Sequence, residues 1–215
     1  MIIQAFPSGP FRTNAYLAIC PCTREAAVID PAPESFDRLT EFIESEQIKP
    51  KVLLITHSHW DHIGDAARIK SKYQLPVYIH TLDAKNLESP GSDGLLCWIN
   101  IEGVKPSHLI SEGDAIAIGD LTFKVIHTPG HTPGGVCYYC SEEKTLFSGD
   151  TLFKGTIGNL SFSTARPHLM WPSLNKLAQL PSDTRVYPGH GEDTTIGNEN
   201  WLSQAEEIFG DFEDL

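Results

Sequence analysis

Apolar positions recur with two different periods along this 215-residue chain. Residues 1–30 alternate apolar and polar side chains around Gly9-Pro10, which predicts half-buried strands joined as a hairpin. From Pro33 to Gln47 the spacing lengthens. Phe36, Leu39, Phe42 and Ile43 share one helical face, and Glu34 and Glu46 flank a solvated one. The unbroken run Val52-Leu53-Leu54-Ile55 predicts a buried strand, residues 63–73 a helix, and Val77-Tyr78-Ile79 another short strand. Further strands are predicted at 115–118, 121–127, 136–140, 145–149 and 185–187. Trp171 to Leu180 predicts a helix with Pro172 in its first turn, where a missing N–H does no harm. Residues 196–202 predict one closing helix. Residues 89–107 are rich in Ser, Pro and Gly but carry Leu95, Leu96 and Trp98. They read either as a lid over a cleft or as a surface loop packed on a sheet edge. Strands and helices in this order define a mixed α/β class, with no internal repeat. A mass of 23.8 kDa suits one domain spanning 1–215 with a sizeable core.

The chemistry sits where predicted strands end. Directly after Val52–Ile55 comes His57-Ser58-His59-Trp60-Asp61-His62, an H-x-H-x-D-H cluster. His127-Thr128-Pro129-Gly130-His131 follows the strand at 121–127, Ser148-Gly149-Asp150 follows Thr145-Leu146-Phe147, and Tyr187-Pro188-Gly189-His190 follows a short apolar stretch. Each element repeats one grammar: a strand, a Gly/Pro-rich turn, then His or Asp. Glycine and proline set tight turns that aim one side chain. Imidazole nitrogen and carboxylate oxygen are ligands that zinc, iron and manganese accept. His80, His108, His127 and His168 lack this grammar and read as ordinary surface or capping histidines. Asp150 taken alone also reads as a helix N-cap.

The segments T-H-S-H-W-D-H-I-G-D, H-T-P-G-H-T-P-G-G, F-S-G-D-T-L-F and Y-P-G-H-G, in this order, resemble the metallo-β-lactamase superfamily, and within it the short glyoxalase II-like hydrolases. The resemblance implies an αβ/βα sandwich of two mixed β-sheets flanked by helices. It implies that His57, His59 and His131 hold one metal, that Asp61, His62 and His190 hold a second, and that Asp150 bridges them with a water or hydroxide. The cofactors implied are two divalent ions, zinc first, with iron or manganese as alternatives. Such a pair, about 3.5–4 Å apart, supplies hydroxide at neutral pH and stabilises an oxyanion. The function implied is hydrolysis of a small ester or thioester by that hydroxide, as in hydroxyacylglutathione hydrolases. Asp61 and Asp150 are then the catalytic carboxylates. No serine or cysteine nucleophile is needed, and G-x-S-x-G is absent. Asp30, Thr56, Thr128 and Thr132 are candidates to orient the imidazoles.

Departures from the family bear on substrate. Asn159 stands where many glyoxalase II-like chains have arginine, with Arg166 as a substitute nearby. The chain runs about twenty-five residues past His190, so the helical extension that the resemblance links to glutathione binding is not expected. Arg12, Trp98 and Arg166 are the substrate-binding candidates. Asp150 and the lack of a secretory signal argue against an antibiotic-hydrolysing lactamase. A mononuclear iron persulfide dioxygenase, using His57, His131 and Asp150, is the alternative activity. A phosphodiesterase or a non-catalytic metal-binding module ranks lower. Net charge of −12 disfavours nucleic-acid partners and leaves a small molecule as the expected one. No apolar run is long enough for a membrane helix, and the N-terminus lacks a signal-peptide pattern, so a cytoplasmic protein is expected. Five cysteines, an odd count, read as reduced thiols. Cys137 and Cys140 would point to opposite faces of one strand. Oligomeric state is left open.

Overall fold

The computed structural model describes residues 1–210; the last five residues of the predicted 1–215 unit lie outside them. The chain opens with β1 (Ile2–Ser8), β2 (Thr13–Ile19) and β3 (Glu25–Ile29), followed by helix α1 (Phe36–Ser45) and β4 (Lys49–Leu54). Two short helices follow, α2 (Trp60–Ile63) and α3 (Ala66–Tyr73), then β5 (Val77–His80), α4 (Ala84–Glu88) and β6 (His108–Ile110). These six strands form one sheet in the order β1-β2-β3-β4-β5-β6, antiparallel through β3 and parallel beyond it.

The second half supplies β7 (Ala115–Ile118), β8 (Leu121–His127), β9 (Val136–Cys140), β10 (Thr145–Gly149), a small ribbon of β11 (Leu152–Phe153) and β12 (Thr156–Ile157), helix α5 (Pro167–Leu177), β13 (Arg185–Pro188), β14 (Thr194–Thr195) and α6 (Ala205–Phe209). The second sheet runs β14-β13-β10-β9-β8-β7 and is also mixed, with β10 and β13 parallel.

Strand periodicity divides the core into layers. Along β2, Leu17 and Ile19 face α1 and α3, packing on Leu39, Ile43 and Ile69. Tyr16 and Ala18 face the other way, onto Phe123, Tyr138 and Phe147 of the second sheet. The far face of that sheet packs Ile126, Leu146 and Val186 on Met170, Leu174 and Leu177 of α5. Helix, sheet, sheet, helix is the expected αβ/βα sandwich. Cys137 joins the α5 layer and Cys140 the inter-sheet layer, opposite faces as expected. All five cysteines are free. No helix among the described residues is long and apolar enough to cross a membrane.

Three helix boundaries differ from expectation. The helix expected at 63–73 is two pieces, broken at Gly64-Asp65. There a Cβ on Gly64 would lie 2.4 Å from the Pro33 ring, and Asp65 turns back to accept a hydrogen bond from Phe36 N. The second helix starts at Pro167, not Trp171, so Pro172 is internal. Ser173 Oγ donates to Leu169 O at 2.8 Å, one residue on from the carbonyl that Pro172, lacking an N–H, leaves without its helical donor. Residues 196–202 hold only short 3₁₀ turns, and the closing helix is α6. The 89–107 segment is divided. Leu95, Leu96 and Trp98 border a cleft, while Ile101 and Val104 pack on the first core layer.

Candidate metal centre

All seven candidate donors sit beyond the C-terminal ends of strands. His57 and His59 lie on the extended loop after β4, and Asp61 and His62 lie in α2, which that loop starts. His131 follows β8, Asp150 follows β10 and His190 follows β13. At β10 the turn needs a left-handed residue, Gly149 at φ +49°, whose Cβ would strike Thr56 Oγ1 at 2.5 Å. Four donors thus come from one sheet and three from the other.

The side chains meet in three overlapping groups, each with its ligand atoms within 4.8 Å of one another: His57-His59-His131, His57-His62-Asp150 and Asp61-His62-His190. Asp150 touches both ends of the cluster. Its oxygens lie 3.3 Å from His62 Nε2, 3.4 Å from His131 Nε2 and 3.4 Å from His190 Nε2. Asp61 Oδ2 lies 3.3 Å from His190 Nε2 and 3.5 Å from His62 Nε2.

Two observations test whether a cation fits. The Nε2 atoms of His57, His59, His62 and His131 and Oδ1 of Asp150 are buried without a hydrogen-bond partner. The other such atoms among the described residues are all hydroxyls. Nε2 of His62 and Oδ1 of Asp150 are 3.3 Å apart, yet neither has a hydrogen-bond partner. Buried polar atoms are normally satisfied. Moreover, a tetrahedron with corners about 2.0–2.1 Å from its centre, the usual zinc–nitrogen distance, has edges of roughly 3.3–3.4 Å. The carboxylate–imidazole spacings of 3.3–3.5 Å are those of ligands around an ion, and the donor chemistry suits a divalent cation.

The outer nitrogens are held. His62 Nδ1 donates to Asp30 Oδ2 at 2.9 Å, His131 Nδ1 to Asn159 O at 2.8 Å, and His190 Nδ1 to Phe11 O at 3.1 Å. Thr56 Oγ1 donates to Asp30 Oδ2 and so accepts from His57 Nδ1 at 3.1 Å. Each bond makes Nδ1 the donor and leaves Nε2 facing inward. Asp61 is fixed by Thr13 Oγ1, which donates to Oδ2 at 2.6 Å. Asp30, at φ +46°, also accepts from Thr56 N at 2.7 Å. Asp30→Asn keeps a residue that tolerates this backbone but loses one acceptor. It is expected to weaken metal binding about 10- to 100-fold in chelator competition. Wild-type affinity would show that Asp30 does not orient His62.

Sequence reasoning missed Asp83. Its buried carboxylate accepts from Ser58 N at 3.0 Å and Gly134 N at 2.7 Å, tying the His57–His59 loop to the His131 loop. Burial pushes its pKa up, against these hydrogen bonds. The signal was present, because Asp83 follows β5 as the donors follow their strands. Thr128 bonds Thr151 rather than a donor imidazole.

Charge is divided unevenly in the metal-free protein. Burial, then the neighbouring imidazoles, push His57 well below the usual histidine range and His59 down to about 3; burial also lowers His131. Burial opposes charge on His62 and His190 too. There it is outweighed, at His62 by the Asp61 and Asp150 charges and at His190 by the same two carboxylates, Asp150 at 3.4 Å and Asp61 at 3.3 Å from its Nε2. His62 rises well above the usual range and His190 to about 9. The same partners outweigh burial at the acids, holding Asp61 at about 2 and Asp150 well below its usual value. At pH 7.5 the His57-His59-His131 group is therefore neutral, and His62 and His190 carry protons. A cation entering the second group must displace about two protons, and one entering the first displaces almost none. Calorimetric titration in buffers of different ionisation enthalpy should show this step by step. Equal proton release in both steps would contradict it.

Five of the donors, His59, Asp61, His131, Asp150 and His190, line a cleft of about 500 Å³. Trp98, 64% exposed, lines it. Arg12 and Arg166 do not. Arg12, at φ +53°, turns into a separate hollow beside Ser8, Glu34 and Arg38. Arg166 Nη1 donates to the carbonyls of Thr164 and Ala165 in its own loop. Lining residues the sequence did not single out are Phe11, Trp60, Phe153 and Phe162.

Comparison with known proteins agrees with this geometry. A family model described as the metallo-beta-lactamase superfamily matches residues 8–190. Hydroxyacylglutathione hydrolase GloC of Haemophilus influenzae is 35% identical over 203 residues, covering 93% of this chain and 95% of its own. Two solved structures superpose closely. The B3 metallo-beta-lactamase BLEG-1 has a TM-score of 0.86 at 39% identity, covering 92% of this chain and 96% of its own. TTHA1623, in a di-iron-bound form, has a TM-score of 0.79 at 37% identity, covering 91% and 96%. The chain belongs to the metallo-beta-lactamase superfamily, and its class is that of the metallo-hydrolases.

Proposed function

We propose that the chain hydrolyses small esters or thioesters with two divalent cations, zinc first. His57, His59 and His131 would hold one, Asp61, His62 and His190 the other, and Asp150 both. The observation that carries this reading is the cluster of unpartnered buried donors at ligand-to-ligand spacing. When bound, two such cations activate a water and polarise a carbonyl. The chain's own groups do the rest. Asp61 and Asp150 both border the cleft and are charged at neutral pH. Each can accept a hydrogen bond from the attacking water and so turn its lone pair toward the carbonyl carbon. Thr13 holds Asp61 in place for that role. The proton taken from water passes to an alkoxide leaving group; a thiolate leaves without it.

The persulfide dioxygenase reading uses His57, His131 and Asp150 and leaves buried His62 Nε2 unexplained. Two cations account for more of the unsatisfied atoms. The likeness to TTHA1623 in its di-iron form supports a pair and keeps iron as the rival metal. The cleft volume suits a small molecule. The free thiols are in keeping with a reducing, cytoplasmic setting.

Protein purified without added metal should contain about two equivalents by elemental analysis. It should hydrolyse members of an ester and thioester panel and lose that activity to a chelator. The panel includes a β-lactam, because BLEG-1 is described as a lactamase. Oxygen uptake with a glutathione persulfide and a single iron would replace the hydrolase reading. So would metal content unaccompanied by hydrolysis of any member.

A further inference from the structure

The cleft is unlike a site built for a charged substrate. Apart from the metal donors and Asn159, its lining is wholly apolar. Phe11, Trp60 and Trp98 form an aromatic corner, with ring centroids 5.2, 5.9 and 5.9 Å apart. Phe162 stands edge-on to His59 at 5.3 Å and His131 at 5.7 Å, and Phe153 edge-on to His190 at 5.9 Å. Apolar rings thus flank the donor cluster at both ends. Leu95 and Leu96 extend the wall outward, and Leu96 is 73% exposed. Large apolar groups left in water around a concave site mark a binding surface.

No lysine or arginine among the described residues lines the cleft. Cations next to lining residues are engaged elsewhere. Lys154, adjacent to Phe153, pairs with Glu192 at 2.7 Å, and Arg12, adjacent to Phe11, turns into its own hollow.

From this lining we infer that the substrate carries an uncharged, apolar arm on at least one side of its scissile ester or thioester bond. The aromatic walls recognise that arm, and a glutathione moiety is not what the cleft selects. This inference rests on the hydrolase reading above and names its substrate class.

The test uses the metal-loaded protein and two series of thioesters. One runs from acetyl to octanoyl on N-acetylcysteamine; the other joins acetyl to alkanethiols of rising length. In at least one series kcat/KM should rise about fourfold per added methylene until the cleft is filled. S-hexanoylglutathione should be a poorer substrate than hexanoyl-N-acetylcysteamine. Trp98→Ala should cut the gain per methylene to about twofold and raise KM more than it lowers kcat, and Trp98→Phe should restore most of it. A readout without turnover accompanies these: amide analogues of the same series, which resist hydrolysis, titrated by tryptophan fluorescence. Their dissociation constants should fall about fourfold per methylene. Flat series in both rate and binding, or a preference for the glutathione thioester, overturns the inference. Absence of hydrolysis throughout sinks the hydrolase reading instead, and the amide series still decides this one.

Discussion

Asp150→Asn is expected to lower kcat/KM by about a thousandfold and to release at least one equivalent of metal. Asp150 is the carboxylate that approaches His62, His131 and His190 together, at 3.3–3.4 Å. An amide keeps the shape but loses the negative charge that, on the proposed reading, two neighbouring cations would share. Lewis-acid stabilisation by such ions amounts to several kcal/mol, and each 1.36 kcal/mol is tenfold in rate. Asparagine fills the same space, so the fold should survive and the loss should be chemical. Metal content and steady-state rates on one thioester, compared with a wild-type thermal melt, separate these effects. Full activity with two bound equivalents would remove Asp150 from the centre.

Gly189→Ala should be nearly as damaging, though it removes no donor. A Cβ there would lie 2.1 Å from Asp150 Oδ1 and 2.7 Å from His62 Cε1. The backbone cannot retreat easily. Gly189 N donates to Gly149 O at 2.8 Å, and Gly189 O accepts from Asn14 N at 2.7 Å. The methyl would push both donors off their positions, costing about 1–3 kcal/mol in stability and, through a displacement of about an ångström, on the order of a hundredfold in rate. Gly191→Ala is the control. That position has φ +76° and open space around it, so only backbone strain of about 1–3 kcal/mol is expected, with metal retained. If Gly189→Ala kept both metal and rate, the packing of β13 against the donors would not matter to function.

The sandwich and its family were legible because the donor motifs repeat a strand-turn-donor grammar and the core strands carry strong apolar runs. Boundaries without such signals were not. Pro167 and Pro172 are equally acceptable in a first helical turn, and no local pattern shows that Met170 packs against Gly130. Strands β6, β11, β12 and β14 are two or three residues long, too short for any period to show. At the site, the donors share a motif with their neighbours in sequence. Asp83 does not, since its work is to join two loops that only the fold makes adjacent. Arg12 and Arg166 suggested themselves by charge alone. A left-handed backbone turns the first aside, and its own loop carbonyls hold the second. Phe11, Phe153 and Phe162 come from three distant segments, so nothing in the local pattern marks them as one wall.

Donors split four and three between the two sheets have a consequence for stability. Ions seated there would act as rivets through both halves of the molecule, so binding would be linked to the closed seam around Tyr16, Tyr138 and Phe147. Stripping them would then lower the melting temperature of the whole sandwich rather than loosen one half.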